Sequence, residues 1–186
     1  MDNELYQGDE SQSLLWDMLS LFTNPVYMFT MFTVSCMYFS SSGLQFWTIS
    51  YLEKILNVDV VHAQVIFIAC ASSAPIPGAL LGSFVADAFG GYKGKNQLTA
   101  LKICCIFGFI DGIVAVWVCY IKDVETFTFA LFSLLFLGAT IVPSSYGIIV
   151  SCVRKEQQNA SSAFGTFFFN FAGFFLAPNV SGYVID

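Results

Sequence analysis

The chain has 186 residues, of which 56% are apolar and only 11% charged, with a net charge of −6. Soluble domains carry roughly 25% charge, so an ordinary globular fold is excluded and an all-α, polytopic membrane helix bundle is expected. Five of the thirteen acids fall within the first 17 residues, and no basic stripe is present, which argues against nucleic acid as a partner.

Residues 1–22 read as an acidic cytoplasmic linker that ends in a short interfacial helix, LLWDMLSLF over 14–22, too short to cross a bilayer. The transmembrane bundle is expected over 23–186. Asn24-Pro25 opens a first span over 25–50, with a small polar run from Ser40 to Gly43 whose hydroxyls are expected to bond to their own helix. Trp47 and Tyr51 suit the far interface. A second span over 61–86 contains Pro75 and Pro77, so a bend is expected between Ala71 and Pro77. Along it Ala74, Gly78, Gly82 and Ala86 recur every four residues, a smooth stripe against which another helix backbone can lie closely. A short turn with Gly90, Gly91, Lys93 and Lys95 leads to an adjacent antiparallel third span over 98–121. The fourth span, 125–152, is expected to be interrupted at Pro143, and the fifth runs over 158–184.

Lys93, Lys95, Lys102, Arg154 and Lys155 fall on one side of this alternation, against Lys54 and Lys122 on the other. The imbalance places the second and fourth connections, and the N-terminus with them, in the cytoplasm. All six cysteines lie within or at the ends of apolar segments and read as buried thiols. With a single histidine and no paired cysteine spacing, no metal ligand and no cofactor is expected.

No catalytic residue is expected either, since the chain has no nucleophile elbow and no phosphate-cradling glycine loop. The informative groups are polar residues at membrane depth. Asp111 sits near the middle of the third span, where a carboxylate is costly unless protonated, paired or wet. It is read either as a proton- or ion-coupling acid or as a locally bonded acid at a helix interface. Asn170 is read as hydrogen-bonding a solute or clamping a neighbouring helix. Gln45, Trp47, Ser144 and Tyr146 are expected to line a cavity beside the Pro143 interruption.

The stretch Ser83-Phe84-Val85-Ala86-Asp87-Ala88-Phe89-Gly90-Gly91-Tyr92-Lys93 carries an acid, a glycine and a base on the turn between two spans. It resembles the loop signature of the major facilitator superfamily. Gly43-Leu44-Gln45-Phe46-Trp47, Pro75-Ile76-Pro77-Gly78 and the run from Asn170 to Pro178 are similar to the C-terminal half of spinster-like lipid or lysolipid transporters. The resemblance implies a major-facilitator-like bundle in which this chain supplies five of the six helices of the C-terminal half. It also implies a companion N-terminal bundle, from the same or another chain, and membrane lipids as surroundings. Asp87, with Gly90, Gly91, Lys93 and Arg154, would form an inward gate at the start of the fifth span. Because the third span is peripheral in that family, the resemblance favours Gln45, Tyr146 and Asn170 over Asp111 as solute contacts. The function it implies is alternating-access transport of a small amphipathic or lipid-like solute. The competing reading is a non-transporting membrane scaffold or receptor derived from a transporter half.

Overall fold

The computed structural model describes residues 21–92 and 94–185. The expected acidic linker and most of the interfacial segment 14–22 lie outside the described residues, as do Lys93 and Asp186.

Three helices start on a side-chain cap. Asn24 accepts from the backbone N–H groups of Val26 (3.1 Å) and Tyr27 (3.4 Å) to open α1, Pro25–Lys54. Pro25, at the first helical position, lacks only an N–H that the helix could not have satisfied. Asp59 accepts from Val61 N–H (3.1 Å) to open α2, Val60–Ser73. The helix α3, Pro75–Ala88, continues directly from Ala74, which is helical itself and closes one helix as it opens the next. Pro75 and Pro77 withhold two N–H donors there, and the break falls inside the expected window. A 3₁₀ turn, Gly94–Asn96, leads into α4, Gln97–Val118. Asp123 caps α5, Val124–Ser151, accepting from the N–H (2.9 Å) and hydroxyl (2.8 Å) of Thr126, which hold its carboxyl below the usual carboxylate range. A second 3₁₀ turn, Lys155–Gln157, precedes α6, Gln158–Asn170, a π-helical turn, Phe171–Leu176, and α7, Ala177–Ile185.

Four segments are both long and apolar enough to cross a membrane: Val60–Ala88, Gln97–Val118, Val124–Ser151 and Gln158–Tyr183. The chain is a multi-pass membrane protein. Five such spans were expected, and α1 is the one that falls short, on composition rather than length. Its 30 residues extend about 45 Å at 1.5 Å per residue, and no charge occurs from Pro25 to Leu52. Serine, threonine and tyrosine lower its hydropathy, but the hydroxyls of Thr30, Thr33 and Ser35 each donate to their own helix at 2.8 Å, which removes most of their cost in lipid.

Pro143 does not interrupt the fourth span: α5 runs unbroken through it from Val124 to Ser151. A membrane helix tolerates a proline when neighbours enclose the turn it weakens, and here Thr140, Ile141, Ser144 and Ser145 around it are all buried.

α5 is the central element, packed by α3 on one side, α4 on another and α1 on a third. With α3 it runs parallel in constant register: Cys70 Sγ lies 3.8 Å from the Thr128 carbonyl, Gly78 lies against Phe136 and Gly82 against Thr140, each pair 58 positions apart. Ala74, Gly78, Gly82 and Ala86 are all buried. At Gly78 and Gly82 an added Cβ would run into the carbonyl oxygens of Phe136 and Thr140, so the two backbones are in contact.

The last span packs on α1 by a second four-residue repeat, Ser161, Gly165, Phe169, Gly173, Ala177, and all five are buried. A step of four residues turns an α-helix by about 400°, so such a stripe drifts about 40° per step away from a straight partner. The π turn, wider than an α turn, takes up that drift in mid-helix. It does so where Gly173 meets α1: its Cβ position lies 3.2 Å from both Ser42 Oγ and the Tyr38 carbonyl.

Two apolar clusters close the ends of the bundle. Leu52, Ala63, Cys70, Ile121, Phe127, Ala130 and Leu131 close the end bearing Lys54 and Lys122. Leu21, Tyr27, Met31, Val34, Ile149 and Phe169 close the other.

Candidate functional site

At the margin of the second cluster α1 and α5 are joined by a polar contact. The hydroxyls of Tyr38 and Tyr146 lie 3.1 Å apart, and both side chains are half-buried. Phe169 of α6 holds the pair: its ring stacks on Tyr38 at 5.6 Å and meets Tyr146 edge-on at 5.4 Å. Phe169 itself is fully buried, so the two phenol rings rest on a fixed surface. α1 and α5 are antiparallel and side chains lean toward their own helix N-terminus, so these two tyrosines reach toward one another from different heights. Counting 1.5 Å per residue from the hydrogen bond of Asn24 Nδ2 to the Cys152 carbonyl (2.8 Å), the pair lies roughly 15 Å into the bundle.

The other residues expected in a cavity are dispersed. Gln45 is exposed although it follows Tyr38, Ser41 and Ser42 and precedes Thr48 and Leu52 on the inward stripe of α1, where its neighbours are buried or half-buried. Trp47 is a tie between helices, its Nε1 donating to Ser181 Oγ of α7 at 2.7 Å. Ser144 is 1% exposed and therefore lines no cavity. The register that sets Gly78 on Phe136 and Gly82 on Thr140 brings it level with Ala86, inside the α3–α5 seam. The expectation failed because the helix does not break at Pro143, so Ser144 stays on the buried face. Asn170 is exposed, and its amide donates to the Thr166 carbonyl of its own helix (2.8 Å), clamping no neighbour.

Asp111 lies half-buried on the face of α4 that packs against α5. The antiparallel register, fixed by Cys104 beside Ser145 and Gly108 beside Ile141, places it level with Gly138. A glycine offers no side-chain donor. One carboxyl oxygen is accordingly buried with no hydrogen-bond partner among the described residues.

At the end opposite Lys54 and Lys122, Asp87 is exposed in the last turn of α3. Gly90 and Gly91 take positive φ, +91° and +74°, and Gly91 N–H closes the helix on the Ala86 carbonyl at 2.8 Å. Asn96 Nδ2 donates to the Gly90 carbonyl (2.8 Å) and fixes the turn. Arg154 is exposed at the start of the second 3₁₀ turn, and no ion pair joins it to Asp87. Tyr92 makes the junction instead, its carbonyl accepting from Ser151 Oγ (3.0 Å) and its ring lying over Gly147. Nearby, Tyr27 donates to the Ser161 carbonyl (3.2 Å), Ser161 Oγ reaches the Ile149 carbonyl (3.4 Å), and burial pushes the Cys152 thiol up from its ordinary value. These contacts gather the turn after α3, the end of α5 and the starts of α1 and α6 at one end of the bundle.

Tyr38, Phe169 and Tyr92 were not among the expected site residues. Tyr38 was legible as the residue one turn before Ser42 and two before the inward Gln45. Phe169 looked like any of 21 phenylalanines, and Tyr92 has no signal outside its three-dimensional setting.

Compared with protein-family models, with curated proteins and with solved structures, the chain finds no match in any of the three.

Proposed function

We infer that this multi-pass protein is one half of a secondary active carrier, moving a small amphipathic or lipid-like solute by alternating access. The observation that carries the reading is the arrangement at mid-depth. An uncharged hydroxyl pair from two different helices is half-buried at the margin of the second apolar cluster, and a polar Gln45 is exposed on the otherwise inward stripe of α1. The seams built on glycine and alanine let helices slide and tilt as rigid units, which alternating access demands.

In this reading the resemblance to the major facilitator superfamily supplies the architecture, with α1 to α7 forming five spans of a C-terminal bundle and a companion bundle forming the opposite wall. Asp87 and Arg154, each a few residues along the chain from the Tyr92–Ser151 bond, are assigned to the inward gate. The work is conformational, with a solute shifting the balance between two states according to its differential affinity for them; no chemical step is assigned to any residue. Uptake of a tritiated twelve-carbon glycerol ester into proteoliposomes tests the reading, comparing this chain with the full product of its gene. Saturable uptake by the full product supports a carrier. Saturable binding without uptake in either preparation supports a receptor or scaffold and overturns it.

A further inference from the structure

We propose that Tyr38 and Tyr146 together form a binding site for an uncharged hydrogen-bond acceptor, such as the ester, ether or hydroxyl oxygen of an amphipathic molecule. The inference rests on the carrier reading and names the head group that the tyrosine pair would take.

Two phenols 3.1 Å apart share one O–H···O bond, whichever of them donates. The pair holds two O–H protons and spends one internally, so one remains directed elsewhere. Left in a low-dielectric interior, that proton costs free energy until an acceptor meets it. Both rings are held by the buried Phe169, and Tyr38 also lies against Gly173 of the π turn, so the donor is positioned before any ligand arrives. Preorganisation of this kind lowers the ordering cost of binding.

Charge decides the class of acceptor. No lysine, arginine or histidine occurs from Pro25 to Leu52, from Ala63 to Tyr92, from Ile103 to Ile121, from Asp123 to Val153 or from Glu156 to Asp186. An anionic head drawn to the level of the tyrosines would find no counter-charge within these stretches of the chain. Burying an unpaired charge is far more costly than burying an ester or ether that is hydrogen-bonded.

The test uses the whole chain in lipid nanodiscs and three radiolabelled probes that share a dodecyl tail: glycerol monolaurate, dodecyl sulfate and dodecyltrimethylammonium, each below its micellar concentration, with empty discs as background. The expected result is saturable binding of the glycerol ester, tighter than that of the sulfate. The double variant Tyr38→Phe/Tyr146→Phe, which keeps both rings, weakens the ester by about fivefold or more, the effect of losing one hydrogen bond, with an unchanged thermal unfolding midpoint as the folding control. Each single variant weakens it less, because the remaining phenol regains a free proton. Equal affinity in the double variant and the parent overturns the site while leaving the carrier reading standing, and so does tighter binding of the sulfate. Saturable binding of none of the three probes by the parent chain overturns both.

Discussion

The contact between α3 and α5 makes a quantitative prediction about three glycines that the same substitution should separate. Replacing an interior helical glycine by alanine favours the helix by roughly 1 kcal/mol through backbone entropy. At Gly43 and Gly112 a Cβ would meet nothing within 4 Å, so Gly43→Ala and Gly112→Ala should stabilise the fold by up to about 1 kcal/mol. At Gly82 the same Cβ would overlap the carbonyl oxygen of Thr140 and crowd its carbonyl carbon (2.7 Å) and Cα (2.8 Å), all backbone atoms of a central helix that cannot rotate away. Overpacking of this kind costs about 1–3 kcal/mol, and a backbone obstacle belongs at the upper end. Setting about 3 against the gain of about 1 leaves Gly82→Ala roughly 2 kcal/mol less stable than the parent. Unfolding of the purified variants in mixed micelles, followed by circular dichroism as denaturing detergent is increased, measures the spread. A Gly82→Ala variant as stable as Gly112→Ala would refute the seam.

Four further outcomes follow from the structure. Because the π turn absorbs the drift of a four-residue stripe, deleting Phe174 should leave the fold and the Trp47–Ser181 bond in place, read as unchanged tryptophan fluorescence. Deleting Thr166, inside regular α-helix, should rotate the rest of the span by about 100° and abolish folding. Asp111→Leu should raise the detergent unfolding midpoint, since a buried oxygen without a partner costs about 1–3 kcal/mol; a lowered midpoint would mean that the carboxyl is bonded after all. The Thr126 groups hold the Asp123 carboxyl below its ordinary range, so its contribution is fully present at neutral pH and is lost as pH falls through that depressed value. Asp123→Ala should therefore lower the parent's thermal midpoint at pH 7, with the difference vanishing in acid.

What could be read in advance was whatever depends on local chemistry and period. Ala74, Gly78, Gly82 and Ala86 identified a packing face, because only small side chains at one angular position permit backbone contact; the sequence did not identify α5 as the partner. Pro75 and Pro77 marked a break, since two donors are lost within one turn. Pro143 loses only one, and that difference separates a helix that bends from one that continues. The same error moved Ser144 from a wall of the cavity to a helix seam. Trp47 was read by residue type as a cavity residue and Asn170 as a solute contact or a clamp between helices, yet one ties α1 to α7 and the other bonds to its own helix. Whether a polar side chain is spent internally depends on what lies a hydrogen bond away, which no periodicity records. The Tyr38–Tyr146 pair joins residues 108 positions apart, a contact made by the antiparallel lean of two side chains from different heights. The π turn was likewise invisible, since the four-residue repeat along α3 is carried by regular α-helix.

The central claim is that the turn after α3 and the turn after α5 lie together on one face of a membrane, with the connections after α1 and α4 on the other. Single cysteines placed at Gly94, Arg154, Asn57 and Lys122 in a cysteine-free background, labelled in intact cells with a membrane-impermeant maleimide, test it most directly. The account predicts that Asn57→Cys and Lys122→Cys react from outside, whereas Gly94→Cys and Arg154→Cys react only after permeabilisation. Labelling of Gly94→Cys and Arg154→Cys from opposite sides would contradict it.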